Sequence, residues 1–377
     1  MNSTLLQPGN TIGIIGNYFS STQLINAARD AGLRIATYST HDNSQIQRQA
    51  DIAFVGKLDD KEQLQRFAEQ CDVVTYVSDL MDPEILAFIQ KFAQVPQGMS
   101  LLEMVQDRAI EHAFFEQLNV NSAPYATVVN LGDVYQAIEA IGYPATLKPI
   151  LKNSKNCQQF EIKTKADIQL IGSLFDHGAY ILESGVPYQQ RFSVIAAKDV
   201  NNQIKQFPPV ITEFVNHQPQ TINTVLDKVD DEVVDEMIRI TDVIGNNIKY
   251  VGAYEVSFGI TKDGALYVCG ITPTVSKTGY LFNLAININE YRQHLRAISG
   301  IPLADVTKYS DVIMQTFTKR QVPAIIQERL KQPDWHFIFD YQSDAIDDDY
   351  SGCLLIPTKS VTKSLEKLAA TKIWENN

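Results

Sequence analysis

The chain has 377 residues, of which 45% are hydrophobic and 20% charged, which is ordinary for a soluble globular protein of two or three packed subdomains. Its 32 basic and 44 acidic residues give a net charge of -12. Phosphate surfaces need a basic footprint, so this charge argues against nucleic acid or an anionic membrane as the main partner. The sequence has no apolar run of membrane-spanning length and no signal-peptide pattern, so we expect a cytoplasmic protein.

The cysteines and histidines give no sign of a disulfide framework or a metal centre. Four cysteines lie far apart, without a CxxC pair, and we expect free buried thiols at Cys71, Cys157, Cys269 and Cys353. The six histidines are equally scattered, so a zinc site is not predicted.

The first hundred residues alternate between strand and helix patterns. Four apolar runs have the composition of strands buried on both faces: 11–15, 33–38, 52–56 and 72–77. Helix patterns lie at 22–31, with Gly32 as a left-handed cap, and at 60–70, and Asp82-Pro83 favours another helix start. This order predicts a parallel doubly wound sheet.

Ligands of such sheets often bind at a glycine-rich turn after the first strand. Here the turn 16–20 has one glycine, Gly16, where a dinucleotide fingerprint needs three. A Rossmann cofactor site is therefore not expected at this turn, and a substrate site of changed shape, or none, is predicted.

The middle of the chain changes character. Helix patterns lie at 108–118 and 228–246, and strand patterns lie at 123–129, 142–149, 179–184 and 191–198. A strand pair at 250–260 and 265–269 is joined by the turn Lys262-Asp263-Gly264. One strand of this hairpin offers a carboxylate, Glu255, whereas the other ends in Cys269 and Gly270.

Several short motifs, taken together, resemble the carboxyaminoimidazole ribonucleotide synthases of the ATP-grasp superfamily over essentially the whole chain. Each motif is weak alone, and their order and spacing carry the likeness: PQG (96–98), QDR (106–108), GYP (142–144) with Lys148, the strand ending at Glu183, YEVSF, and HLRAISGIPL (294–303). The resemblance implies an α/β ATP-grasp fold with an N-terminal doubly wound, Rossmann-like domain and a small mixed α/β C-terminal domain. The implied boundaries are 1–105, 106–303 with a nucleotide-covering subdomain at about 124–190, and 304–377.

The family's ligase uses ATP and bicarbonate to carboxylate aminoimidazole ribonucleotide in purine biosynthesis. The resemblance implies ATP and Mg²⁺ as cofactors, a nucleotide as the small-molecule partner, and a homodimer. It places Arg108 near the phosphates and Lys148 beside the α-phosphate. The adenine hinge would consist of Glu183, Ser184, Gly185 and Val186. Glu255 matches one of two metal-binding carboxylates. From the residues alone, Lys148 is also readable as a strand-end lysine and Arg108 as a member of a surface ion pair.

Other positions depart from the family pattern. The glycine-rich phosphate loop is replaced by residues 152–158, which contain no glycine, and the acid that grips the ribose becomes Arg191. The Asn-Glu pair that completes the metal site falls on Cys269 and Gly270. The arginine and histidine cluster that handles substrate falls on Thr274 and on 276–280, and Asp79 only approximates a substrate-binding acid.

These losses lead to three hypotheses. The chain is a diverged, catalytically impaired nucleotide-binding paralogue, an active synthase with an altered site, or a non-catalytic scaffold that pairs with a complete synthase. Lys277, between Ser276 and Thr278, resembles a small anion cradle for another ligand, with a solvated lysine in a polar loop as the alternative. No metal is assigned to the acidic residues of 344–349.

Overall fold

The computed structural model describes residues 5–16, 19–42, 45–153, 158–215, 218–227, 229–340 and 350–374. The strands are β1 Thr11–Ile15, β2 Arg34–Ser39, β3 Ile52–Val55, β4 Val73–Tyr76, β5 Tyr125–Val128, β6 Ala145–Pro149, β7 Phe160–Ile162, β8 Tyr180–Ser184, β9 Tyr188–Lys198, β10 Ile204–Gln206, β11 Val210–Val215, β12 Gln218–Asn223, β13 Gly252–Thr261, β14 Leu266–Thr272, β15 Asp311–Thr318, β16 His336–Phe339 and β17 Tyr350–Thr358. The α-helices are α1 Phe19–Asp30, α2 Gln45–Gln49, α3 Lys61–Glu69, α4 Pro83–Ile89, α5 Ser100–Gln106, α6 Arg108–Gln117, α7 Leu131–Ile141, α8 Asp231–Asn247, α9 Phe282–Ala285, α10 Glu290–Ile298, α11 Val322–Arg329 and α12 Val361–Ala370. Short 3₁₀ segments lie at Asp167–His177, Thr278–Leu281 and Lys319–Gln321.

The N-terminal strands form a parallel sheet in the order β3-β2-β1-β4, which confirms the predicted doubly wound arrangement. Helix α1 begins at Phe19, earlier than the predicted residue 22. Ser20 and Ser21 are buried and belong to its packed face, but they are polar and so do not continue the apolar pattern from which the helix was predicted. Gly32 ends this helix with a φ of 73°, a left-handed conformation that favours glycine. Residues 17 and 18 of the predicted first turn lie outside the described residues.

A small antiparallel sheet has the order β5-β8-β6-β7. Side chains alternate between its faces, so Leu147 and Leu182, which are register partners, are buried in the cluster that contains Ile138 of α7. Lys148 and Glu183 come next along the same two strands and project from the opposite face. The apolar face therefore fixes the orientation of the polar one.

The remaining described strands form a large antiparallel sheet in the order β14-β13-β9-β11-β12-β15-β17-β16, with β10 added beside β9. Lys198, at the end of β9, donates hydrogen bonds of 2.8 Å to the carbonyls of Gly245 and Ile248 and so closes the C-terminus of α8. Strands β15, β16 and β17 extend this sheet across the boundary predicted at residue 303, and that boundary stays a prediction.

Two of the sequence motifs meet where the N-terminal domain packs on the large sheet. Gln97 of the PQG motif is fully buried, and its amide donates a 3.2 Å hydrogen bond to the hydroxyl of Tyr250. His294, the first residue of the HLRAI motif, is buried beside the same network. These motifs therefore hold two domains together.

Over the described part of the chain, no helix combines the length and the apolar character needed to cross a membrane.

Candidate functional site

The polar face of the small sheet carries an ion pair between two residues that the sequence singled out. Lys148 lies on β6 and Glu183 on the neighbouring β8. Thr146 is the register partner of Glu183, and Lys148 lies two residues after Thr146 on the same strand. Because side chains alternate between the two faces of a sheet, Lys148 and Glu183 project from the same face. Lys148 Nζ lies 2.5 Å from Glu183 Oε2, and the two side chains are 24% and 20% exposed. The structure thus brings the predicted pair together at an accessible surface.

The predicted hinge follows directly after Glu183. The amide of Ser184 donates to the carbonyl of Pro124, and the amide of Gly185 donates to that of Pro144, both at 2.8 Å. A β-carbon on Gly185 would lie 2.8 Å from the same Pro144 oxygen, so glycine is required here. Ser184 and Val186 line a cavity of about 900 Å³. Their role in binding an adenine ring stays a prediction.

The end of β14 faces the Lys148–Glu183 pair across a cleft, since the charges of both residues act on Cys269. The pairing of β14 with β13 shifts by one residue, because Ser257 pairs with Gly270 and Phe258 with Val268, which leaves Cys269 as the extra residue of a bulge. Cys269 is therefore exposed, and the prediction of a buried thiol was wrong for this residue. The prediction was right for Cys71 and Cys353, which are buried, whereas Cys157 lies outside the described residues.

Cys269 and the small-sheet ion pair belong to one cleft. The walls of the cleft desolvate the thiol and raise the pKa of Cys269, although the residue is accessible to solvent. A hydrogen bond shared with Tyr188 and the charges of Arg191 and Lys148 oppose this rise, while Glu183 reinforces it. Three predicted residues and Arg191 are thus within electrostatic reach of one another.

Arg191 occupies the predicted ribose position and is held between two aromatic rings. Its guanidinium carbon lies 5.0 Å from the ring centroid of Tyr188 and 5.3 Å from that of Phe214. The Tyr188 ring in turn covers Gly259, where a β-carbon would come within 2.3 Å of it. The cleft therefore presents an oriented cation at this position.

A second ion pair joins helix α6 to the segment that replaces the phosphate loop. Lys152 Nζ lies 2.7 Å from Glu111 Oε2, and the other oxygen, Oε1, accepts a 2.9 Å hydrogen bond from the amide of Ile271 on β14. Sequence reasoning missed Glu111. Its position one turn after Asp107 of the QDR motif was the available signal, because residues i and i+4 share a helix face.

Sequence reasoning also missed His112, which follows Glu111 on α6. Its ring stacks on Tyr125 with centroids 4.3 Å apart and an interplanar angle of 25°. Burial lowers the pKa of His112, the charges of Glu183 and Glu111 oppose that effect, and the charge of Lys148 adds to it. The imidazole is therefore a neutral neighbour of both ion pairs near pH 7.

Arg108 lies at the start of α6 and holds the end of β6. Its Nη1 donates a 2.8 Å hydrogen bond to the carbonyl of Pro149, and its amide donates a 2.9 Å hydrogen bond to that of Ile150. Both contacts position the strand that carries Lys148. A direct contact of Arg108 with phosphates stays a prediction.

Glu255, the predicted metal ligand, lies on β13 and is 7% exposed. Glu290, at the start of α10, is fully buried and accepts hydrogen bonds of 3.1 and 3.2 Å from the amide of Ser276. Burial and then the charge of Glu255 raise the pKa of Glu290, and the Ser276 hydrogen bonds oppose the rise. The charge of Glu255 therefore acts on the buried carboxyl group of Glu290.

The loop predicted as an anion cradle already contains this carboxyl group of the protein itself. A β-carbon on Gly279 would lie 1.9 Å from Glu290 Oε2, so glycine leaves room for the glutamate. Lys277 is half-buried, with Nζ 4.2 Å from the ring centroid of Tyr350, and the choice between an anion cradle and a solvated lysine stays open. Thr274 is 3% exposed. A substrate role for Lys277 stays a prediction.

The two-carboxylate magnesium site of the family pattern keeps Glu255 here and has Gly270 at its second position. Magnesium needs several oxygen ligands in near-octahedral geometry. Across the described ranges, no three His, Cys, Asp or Glu side chains converge on a point that could hold a metal ion. Gly270 offers no ligand beside Glu255, and both oxygens of Glu111 are engaged.

The carbonyl of Asp79 accepts a 2.8 Å hydrogen bond from Gln106, and substrate binding by the Asp79 carboxylate stays a prediction.

Comparison with domain families agrees with this architecture. Residues 9–106 match the ribonucleotide synthetase preATP-grasp domain, and residues 113–291 match the ATP-grasp domain. The N5-carboxyaminoimidazole ribonucleotide synthase of Bacillus subtilis is 27% identical over 304 residues, 80% of each chain. The Staphylococcus aureus (strain MRSA252) protein of the same name is 23% identical over 371 residues, 98% of each chain.

Solved structures show the same similarity along the whole chain. An ADP complex of N5-carboxyaminoimidazole ribonucleotide synthetase superposes with a TM-score of 0.92, at 27% identity and 99% coverage of both chains. An Aspergillus clavatus synthase in complex with ADP and 5-aminoimidazole ribonucleotide superposes with a TM-score of 0.89 at 15% identity, covering 99% of this chain and 100% of that one, and supports the fold alone. Together these matches confirm the resemblance and the fold class that the sequence predicted.

Proposed function

We propose, because the chain belongs to the ATP-grasp family and has the domain architecture of the N5-carboxyaminoimidazole ribonucleotide synthases, that it binds a nucleotide but has lost most of their carboxylating activity. The nucleotide would lie in the cleft between the small and large sheets, and in this role the protein is a diverged paralogue of the synthases.

Nucleotide binding is supported by the cleft residues that match the family. Lys148 and Glu183 are paired on the cleft face, and the hinge at Ser184 and Val186 lines the adjoining cavity. Relatives with this fold have been solved with ADP and with ATP. A nucleotide that enters here would exchange the Lys148–Glu183 contact for contacts of its own, with lysine on phosphate oxygens and carboxylate on donors.

The proposed loss of activity rests on one observation, the identity of the residues at the end of β14 that face the cleft. Cys269 and Gly270 stand where the resemblance requires an Asn-Glu pair, and the pocket at Ser276 and Gly279 contains the buried Glu290. Removal of a single electrostatic group from an active site lowers the rate by about 10²–10³. Losses at several such positions leave little of a typical acceleration, even when they are not additive.

An active synthase with an altered site is the second candidate. It is favoured by the near-complete coverage of synthases such as the Staphylococcus aureus protein. A scaffold that pairs with a complete synthase is the third candidate. In that case the chain would use for a synthase the surface that the resemblance implies for a homodimer. Light scattering of the purified chain, alone and mixed with such a synthase, would establish its assembly.

Calorimetry and a phosphate-release assay separate these candidates. We expect ADP and ATP to bind with measurable heat, and phosphate release with ATP, bicarbonate and aminoimidazole ribonucleotide to stay at least about 10³-fold below a synthase measured in parallel. The Bacillus subtilis relative is a suitable positive control. Release at a comparable rate would show that the catalytic loss was inferred wrongly, and absence of any nucleotide binding would leave the scaffold.

A further inference from the structure

The Glu111–Lys152 ion pair is built into the cleft by contacts at both of its ends. Glu111 is 4% exposed, and its two oxygens are engaged by Lys152 and by the amide of Ile271. This carboxylate therefore has little freedom to turn towards another ligand. The Lys152 side chain is 23% exposed, so the cleft can reach it.

The backbone of Lys152 is fixed as well. Its amide donates a 2.9 Å hydrogen bond to the carbonyl of Gln106, and the preceding Leu151 forms a bridge with Asp107. Lysine normally loses much rotamer entropy when it binds an anion. Here tethering at the backbone and at the ammonium removes much of that cost before any ligand arrives.

The position of Glu111 is informative because of Gly270. A β-carbon at Gly270 would lie 3.5 Å from Glu111 Oε1. The carboxylate of Glu111, on helix α6, therefore lies in contact distance of the position that a side chain at residue 270 would occupy. Its negative charge is already balanced by Lys152. A divalent cation at this carboxylate would have to compete with an ammonium group and a backbone amide that already contact its two oxygens.

We propose that Lys152, held by Glu111, takes the place of a divalent cation at this end of the cleft, so that the phosphates of a nucleotide bind here without metal. This inference rests on the proposed nucleotide binding. The ligand class is a nucleoside di- or triphosphate in its metal-free form, and the contact is a charge-assisted hydrogen bond from an ammonium group to a phosphate oxygen.

The first test needs no variant. ADP is titrated into the intact protein by calorimetry, once with MgCl₂ and once with excess EDTA at matched ionic strength. We expect dissociation constants that agree within about threefold, a difference of less than 1 kcal/mol. Loss of binding in EDTA overturns the inference while the proposed nucleotide binding stands. Absence of binding in both buffers overturns both.

Substitutions then assign the effect to the ion pair. Lys152→Met should weaken ADP binding about tenfold or more in both buffers, the scale of one charged hydrogen bond, and Lys152→Arg should retain most of the affinity. Lys163→Met is the matched control, because Lys163 forms an exposed pair with Glu161 on the neighbouring β7. If Lys152→Met and Lys163→Met bind ADP equally well, the proposal is contradicted. Thermal unfolding of each variant confirms that it is folded.

Discussion

The imidazole Nε2 of His294 lies 3.0 Å from the hydroxyl of Thr75, although 219 residues separate them in the sequence. The amide of Ala253 donates to Nδ1 at 3.0 Å, so Nε2 carries the proton and donates it to Thr75. The Thr75 hydroxyl donates in turn to the side-chain oxygen of Gln97 at 2.6 Å. Each group in this chain is satisfied only while the imidazole is neutral.

This contact predicts an acid-sensitive domain interface. Burial lowers the pKa of His294 from 6.5 to about 3, so its contribution to stability is present above pH 6.5 and is lost as the pH falls towards 3. Between pH 8 and pH 5 the wild type should lose about 2 kcal/mol of unfolding free energy more than His294→Gln. Urea unfolding at the two pH values measures this difference.

A matched control uses an exposed histidine. His336→Gln removes a histidine that is exposed at the start of β16 and serves as the comparison variant in the same measurement. If the His294 variant keeps the wild-type pH slope, the assignment of the acid sensitivity to this imidazole is wrong.

Glu290 predicts a pH dependence of the unfolding free energy with the opposite sign to that of His294. Burial and the charge of Glu255 raise its pKa in the folded protein, so it favours folding when protonated and opposes folding as the pH rises above its unfolded value of about 4.5. Glu290→Gln should therefore stabilise the protein near pH 7.5, because the variant lacks the carboxyl group that the folded interior keeps from ionising. Urea unfolding at pH 7.5 and pH 4 checks it.

The gain should shrink at pH 4, where Glu290 of the wild type is protonated. Glu236→Gln provides the contrast, since Arg239 lowers the pKa of this exposed carboxyl and its neutralisation should not stabilise the fold. A stabilisation of Glu290→Gln that is equal at both pH values would show that packing, and not charge, is responsible.

Local sequence patterns predicted much of the fold because they act over a few residues. The cap at Asp82, whose side chain accepts from the amide of Glu84, and the left-handed Gly32 depend only on their neighbours. The exposure of Cys269 depends on a one-residue shift between two strands, which no alternation pattern encodes. The Glu111–Lys152 and Glu290–Gly279 contacts join segments that are separated in the sequence. The spacing of residues in one sequence does not show which separated segments come into contact in the fold.

The Lys148–Glu183 pair predicts unequal effects on nucleotide affinity. Lys148→Met removes a cation and leaves the Glu183 carboxylate unpaired, so ADP should bind about tenfold to a hundredfold more weakly. Glu183→Gln keeps an acceptor and releases the lysine, so the loss should be smaller. Calorimetry with ADP measures both, and Lys163→Met serves as the surface control. Wild-type affinity in the Lys148→Met variant would exclude this pair from the nucleotide site.

Arg191 offers a test of the ribose end of the cleft. Its guanidinium lies between Tyr188 and Phe214, and the resemblance places a ribose-binding acid at the same position. Arg191→Glu would present a carboxylate that accepts hydrogen bonds from the ribose hydroxyls. It should therefore bind ADP about tenfold more tightly than Arg191→Gln, which loses the same stacking but adds no charge. Calorimetry on the two variants makes the comparison, because both lack the cation–π contacts, worth about 0.5–1 kcal/mol each at an exposed site. Equal affinities would show that residue 191 does not face the ribose, and would move the nucleotide away from this wall of the cleft.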